Sequence, residues 1–381
     1  MTSCIGRTLR AALCGVLALP LAAHADYAAE VARLKSAPAN DVTLVSMQAG
    51  LAAFSEKRMQ EAAGHLDAAL AAIEGMFANT EAAAKARSLW YEEGAKDFKG
   101  EPYERAMAYY YRGLAYLVDA DYENARASFR SALLQDAFAE EEQFRSDFAL
   151  LMMLEGWSNQ LAGDMAQANE AYAEVKRLLP DWEPPKPGAN GLLVAELGGS
   201  PRKLGDGVGN HEIVYRPPRR TPERKVAIDI DGARIEPPLM EDLLFQASTR
   251  GGRPVDRIIA GKVSFKEATG DIGLALGRVA SDGSVIASAT GGGGQALGAV
   301  AAIGAIASII SANVRPRADV RYWANLPERV HASAFTHRGL PSEIAVQAAD
   351  AAGNPVPLDR LAVNKWIDRN GKLLVWIKTR N

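Results

Sequence analysis

Apolar and polar positions change rhythm once along this chain, close to Pro180. Before it the pattern is helical, with apolar residues on one face from about Thr43, again from Ala106 to Ala137, and again from Ala149 to Pro180. Alanine-rich or acidic inserts lie between these units at Glu81 to Phe98 and Phe138 to Ser146, the latter with a solvated run at Glu140, Glu141 and Glu142. Asp181 to Ala189 reads D-W-E-P-P-K-P-G-A, which cannot continue a helix and predicts an extended linker. Beyond it, short apolar or alternating runs predict strands at Leu192 to Glu196, Val226 to Ile230, Val330 to Phe335, Ile344 to Ala348 and Leu373 to Lys378. Helical patterns interrupt them at Leu239 to Ala247 and at Val255 to Val279, the second weakened by glycines. The predicted class is α+β: an all-α domain over 26–180, a proline-rich linker over 181–190, and a mixed α/β domain over 191–381.

The helical units share small and aromatic residues at matched positions. Gly113, Tyr116, Ala125, Phe129 and Ala132 form the clearest set, Gly156, Gly163, Ala168, Tyr172 and Pro180 a second, and Gly50, Met59, Ala62, Leu66 and Ala69 a weaker third. This arrangement resembles the tetratricopeptide repeat, a helical hairpin whose helices approach closely at glycine and alanine. The signature glycines are not evenly separated, so additional chain must lie between the units. Stacked hairpins of that type bind polypeptides along a concave face lined by their first helices. The resemblance assigns that face to Leu44, Met47, Leu51 and Phe54, then Met107, Tyr110, Leu114 and Leu117, then Leu150, Met153, Trp157 and Gln160. The set is mostly apolar, which suits an amphipathic helix or another apolar segment better than a charged peptide end. The same residues would also serve as ordinary core if inserts or the second domain filled the face.

Arg7 and Arg10 precede an apolar stretch from Ala11 to Ala22, and Ala23-His24-Ala25 supplies a small-x-small cleavage pattern, so residues 1–25 read as an export signal and the mature chain begins at Asp26. Leu13 before Cys14 does not suit lipidation, and both cysteines lie inside the signal. A periplasmic mature chain without disulfides is expected. It would carry 41 basic against 46 acidic side chains, about −5. That balance argues against nucleic acid as a partner and suggests no polybasic segment for anionic lipid. Membrane contact is expected to be peripheral or absent.

The segment Gly291 to Asn313 is uncharged and rich in glycine and alanine, with a G-x-x-x-G step from Gly294 to Gly298. A helix over 295–313 buried in the C-terminal domain is the expectation, and a helix meeting membrane or a like helix is the alternative. No lysine follows the glycines at the phosphate-loop position. In Ala318 to Pro327, Asp319 and Arg321 should pair with neighbours while Trp323 and Leu326 enter the core. Catalytic patterns are scarce. Asp229 and Asp231 share a strand face as candidate paired carboxylates, and His331 and His337 stand six residues apart with no acidic or thiol partner at ligand spacing. Neither a metal nor another cofactor is expected.

The blocks Tyr91 to Leu117, Gly198 to Lys203 and Ala318 to Pro327, in this order, resemble a group of bacterial envelope proteins with tetratricopeptide-like repeats and no established biochemical activity. The resemblance implies an exported, non-enzymatic adaptor that holds an envelope protein or peptide segment through its repeats. Many relatives carry a lipid anchor, for which this chain lacks a convincing signal. The alternative is an envelope enzyme or cell-wall ligand-binding protein working through its C-terminal domain.

Overall fold

The computed structural model describes residues 26–77, 97–137, 147–206, 212–250, 318–358 and 360–379. The predicted export signal and the predicted helices at 255–279 and 295–313 lie outside the described residues, as do nearly all of the two inserts. The helical part contains α1 (Tyr27–Ser36), α2 (Val42–Ser55), α3 (Met59–Phe77), α4 (Pro102–Val118), α5 (Tyr122–Ala137), α6 (Ala149–Ala162) and α7 (Met165–Leu178). Three antiparallel hairpins result, α2 on α3, α4 on α5 and α6 on α7.

Close approach within each hairpin follows from the small residues. A Cβ added at Gly50 would lie 2.8 Å from the Leu66 side chain, and one at Gly156 would lie 2.5 Å from the Tyr172 ring; at Gly113 the Phe129 ring is nearer still. Each of these rings or branches follows its glycine by sixteen residues. Ala62, Ala125 and Ala168, twelve residues after the same glycines, are fully buried where the helices cross. The three units therefore pack by one rule. The turns match too. Lys57, Ala120 and Gly163, each seven residues past the glycine, adopt positive φ, and only the last is a glycine.

The strand-rich part contains β1 (Gly191–Leu197), β2 (Arg202–Asp206), β3 (Glu212–Arg216), β4 (Lys225–Ile230), β5 (Ala233–Ile235) and β6 (Leu239–Asp242), then α8 (Leu243–Arg250). After the segment 251–317 come β7 (Arg329–Phe335), β8 (Ile344–Ala349), β9 (Pro355–Val356), β10 (Ala362–Ile367) and β11 (Leu373–Lys378). They form a five-stranded sheet in the order β10-β11-β1-β7-β6, a four-stranded sheet β5-β4-β8-β9 and the hairpin β2-β3. β1 runs parallel to β11, with Leu193 opposite Val375 and Glu196 opposite Lys378; the other pairs are antiparallel.

Strand alternation explains why β1 and β11 are apolar almost throughout. Leu192, Val194, Leu374 and Trp376 turn toward the helices, whereas Leu193, Ala195, Val375 and Ile377 meet Val226, Ile228 and Ile230 of the smaller sheet. The five-stranded sheet is therefore a middle layer, covered on both faces. All of the described helical hairpins contribute to a single apolar core with its helix-facing side.

The five strands expected from sequence are present within one residue at each end, so the α+β class holds. One expected helix does not begin as such. Leu239 to Ala247 opens as β6, because Leu239 to Asp242 pair with β7 across a register shift between Leu239 and Glu241, and the helix starts only at Leu243. The proline-rich linker is also less free than expected. Trp182 is buried against Tyr172, with ring centroids 5.7 Å apart, and its backbone N–H donates to Leu179 O.

Candidate functional site

The face expected to hold a partner is occupied from within. Leu44, Met47, Leu51, Phe54, Met107, Tyr110, Leu114, Leu117, Leu150, Met153 and Trp157 are all buried, and the same core contains Leu192, Val194, Trp323, Leu374 and Trp376 from beyond the linker. Gln160 alone stays partly accessible, accepting from the Tyr172 hydroxyl at 3.0 Å. The reading of an open groove is corrected accordingly: the chain's own sheet lies on it. The physical reason is that the helix-facing side of β1 and β11 is apolar apart from Glu196 and Lys378 and must be covered. Phe54 meets Trp376 edge-on with centroids 5.2 Å apart, and Tyr111 meets Trp323 at 5.7 Å.

A charge sits in the middle of this seam. Glu196 of β1 is fully buried, yet all its acceptor capacity is used: Oε1 accepts from the Tyr110 hydroxyl at 3.0 Å and Trp376 Nε1 at 2.8 Å, and Oε2 accepts from the Tyr111 hydroxyl at 2.8 Å and Lys378 Nζ at 3.0 Å. Burial pushes both tyrosine hydroxyls well above their usual range, reinforced by the nearby carboxylate. Burial also pulls the Lys378 ammonium down, against the pull of Glu196. Two donors come from α4 and two from β11, so this carboxylate joins the helices to the sheet.

A second buried cluster unites the three sequence blocks. Glu101 and Glu104 at the start of α4 face Lys203 of β2, which pairs with Glu101, while Glu104 accepts from the backbone of Glu101 at 2.8 Å and of Trp323 at 2.6 Å. Arg321 binds Asp319 at 2.8 Å and Asp41 at 2.7 Å. Burial opposes the charge on Lys203, but Glu101, Asp319 and Glu104 together outweigh it and raise its pKa. With that ammonium already paired to Glu101, burial raises Glu104 to about 7 despite the attraction of Lys203.

Stability should record this proton. Between the unfolded value near 4.5 and the folded value of about 7, the native state holds a proton that the unfolded chain has lost. The Glu104 contribution is therefore complete below pH 4.5 and is lost as pH rises through 7, with a magnitude on the order of 3 kcal/mol. Denaturant melts of the wild type and Glu104→Gln across this window should show the wild-type slope flattened in the variant. Equal slopes would refute the assignment.

Of the candidate catalytic groups, only Asp231 and His337 are brought together. Asp229 of β4 faces Arg234 at 3.7 Å, whereas Asp231 lies in the following turn at φ 47°, where it accepts from Ser342 N and Oγ, from Glu343 N, and stands 3.3 Å from His337 Nε2. The shared strand face is lost because β4 ends at Ile230. His331 is buried, holds Pro237 O through Nδ1 at 3.0 Å, and is pushed toward its neutral form by burial. His337 lies past the end of β7, so the two histidines serve different contacts. Among the described residues no group of three or more His, Cys, Asp or Glu is arranged to hold a metal ion.

An open cleft lies beside β7. It has a volume of about 420 Å³ and is lined by Met153, Pro180, Trp182, Pro185, Leu239 and Ala334 among others, with Asp181 and Glu183 at its rim. β6 pairs with β7 only as far as Leu239 opposite His331, and Ala332 N–H donates to Pro238 O at 3.2 Å. Alternation directs the Ala334 N–H and C=O toward that same edge, beyond the end of β6, where the cleft begins; the carbonyl there accepts from Ser333 Oγ at 3.4 Å. These residues were missed from sequence because D-W-E-P-P-K-P reads as a linker, although a tryptophan in it was a sign of anchoring. The overall charge balance likewise hid a local basic run: Arg216, Arg219, Arg220, Arg224 and Lys225 fall within ten residues that contain one acid, Glu223. Compared with known family models, curated proteins and solved structures, the chain matches none of them.

Proposed function

We propose that this is an exported, non-enzymatic binding protein of the bacterial envelope, whose tetratricopeptide-like repeats cradle its own sheet and which takes a polypeptide segment in the cleft beside β7. Support for the repeat reading comes from the shared spacing of Gly50, Gly113 and Gly156 to Leu66, Phe129 and Tyr172. The basic, apolar and small-residue order of residues 1–25 supports export. The observation that carries the binding reading is the edge of β7 at Ala334, beyond the end of β6, which opens into a largely apolar cleft. An extended segment adds a strand there through backbone hydrogen bonds, and an apolar side chain enters between Trp182 and Leu239. Exposed Asp181 at the rim favours lysine or arginine beside that anchor, whereas Glu183 there already pairs with Lys176 at 3.1 Å.

Panning a library of short peptides against the mature chain tests the reading. The expected enrichment is for extended sequences with an apolar anchor beside a basic residue. Ala334→Pro, which removes the edge donor, and Leu239→Asp should each abolish it, and the second should leave the melting temperature nearly unchanged, since Leu239 is 38% exposed. Unchanged enrichment in both variants, or no enrichment by the wild type, would contradict the proposal.

A further inference from the structure

We propose that the outer face of the β2–β3 hairpin is a docking surface for anionic phospholipid. Arg202 and Arg216 are directly opposite each other in this hairpin, an arrangement of like charges that opposes strand pairing. No carboxylate of the described residues pairs with Arg216, Arg219 or Arg220, and all three side chains are exposed. The loop that follows β3 is stiffened by Pro217 and Pro218, and Arg202 Nε donates to Pro217 O at 2.9 Å, which holds the loop against the hairpin. Arg220 itself adopts φ 57°, a conformation disfavoured for a residue with a Cβ. Repulsion and backbone strain are thus both maintained in a group of cations lacking a counter-ion.

The opposite face explains how the group stays rigid. Lys203 and Tyr215, the next cross-strand pair, are buried, with Lys203 held by Glu101 and Tyr215 against Tyr103. Leu204 and Val214 return to the arginine side, where Leu204 is 39% exposed, and the acidic positions Asp206 and Glu212 follow only at the far end of that side, two cross-strand pairs beyond Leu204. An apolar side chain beside arginines suits a lipid surface, where guanidinium groups meet phosphates and leucine enters the interfacial layer. A dissolved phosphate ion would gain nothing from Leu204.

The test is co-sedimentation of the mature chain with vesicles of phosphatidylcholine alone or mixed with phosphatidylglycerol. Binding should require phosphatidylglycerol and weaken with salt. Each arginine removed in Arg219→Ala and Arg220→Ala should lower partitioning about five-fold, and Leu204→Ser should lower it with every arginine intact. Arg220→Gly should weaken binding while raising the melting temperature, because the strain is relieved. Circular dichroism of each variant checks the fold. Failure to bind phosphatidylglycerol vesicles, equal binding to both vesicles, or indifference to the arginine changes would overturn the proposal. So would binding of inorganic phosphate that depends on the arginines together with undiminished vesicle binding by Leu204→Ser, or retention of the protein by immobilised polyglutamate but by no vesicle.

Discussion

Glu196→Ala is expected to lower the unfolding free energy by about 3–5 kcal/mol, the range for breaking a buried ion pair from one side. The substitution leaves the Lys378 ammonium, which is 1% exposed, without its counter-charge. It also orphans the Tyr110 and Tyr111 hydroxyls and the Trp376 indole N–H, whose bonds to Glu196 are 2.8–3.0 Å long. Chemical denaturation measures the loss. Adding Lys378→Met to this background should recover part of it by deleting the unpaired charge, although three neutral donors remain unsatisfied. A single variant as stable as the wild type would mean that helices and sheet are not joined at this point.

Trp157→Ala should cost a similar ~3–5 kcal/mol, as deletion of a buried aromatic does. Trp157 is 1% exposed and belongs to the core shared by Leu192 and Leu374. Had the first helices of the repeats formed an open partner face, this tryptophan could be removed with little effect on folding. Thermal and denaturant melts of the variant therefore distinguish a face used internally from one left open. A fall below ~1 kcal/mol would favour the open face.

The hairpins were legible because their signals are local: a glycine, an alanine twelve residues on and an aromatic or branched side chain four residues further specify one crossing. β1 and β11 were legible as apolar runs. β10 was not, since A-V-N-K-W-I interrupts its apolar pattern with Asn364 and Lys365, and only the tertiary fold shows Asn364 donating to Ser55 O at 2.7 Å. Leu239 to Asp242 misled for a related reason: its pattern continues into α8, and pairing with β7 overrides it. The covering of the repeat face was the hardest point. Methionine, leucine and tryptophan serve a partner's side chains and an internal sheet equally well, so residue type cannot say what fills the face. One clue was present in L-L-V-A-E-L and L-L-V-W-I-K, which are apolar on both faces and so need a layer on each side. The arginine hairpin escaped notice because a near-neutral total conceals a local excess.

The first helices of the three hairpins rest on the chain's own sheet. Nuclear Overhauser spectroscopy of protein labelled at phenylalanine and tryptophan tests it most directly, because the Phe54 and Trp376 rings are 5.2 Å apart at their centroids and belong to opposite sides of the seam. Cross-peaks between these two rings are expected in the free protein, together with an indole N–H of Trp376 that exchanges slowly with water. A Trp376 indole that exchanges freely and shows no contact to Phe54 would contradict it.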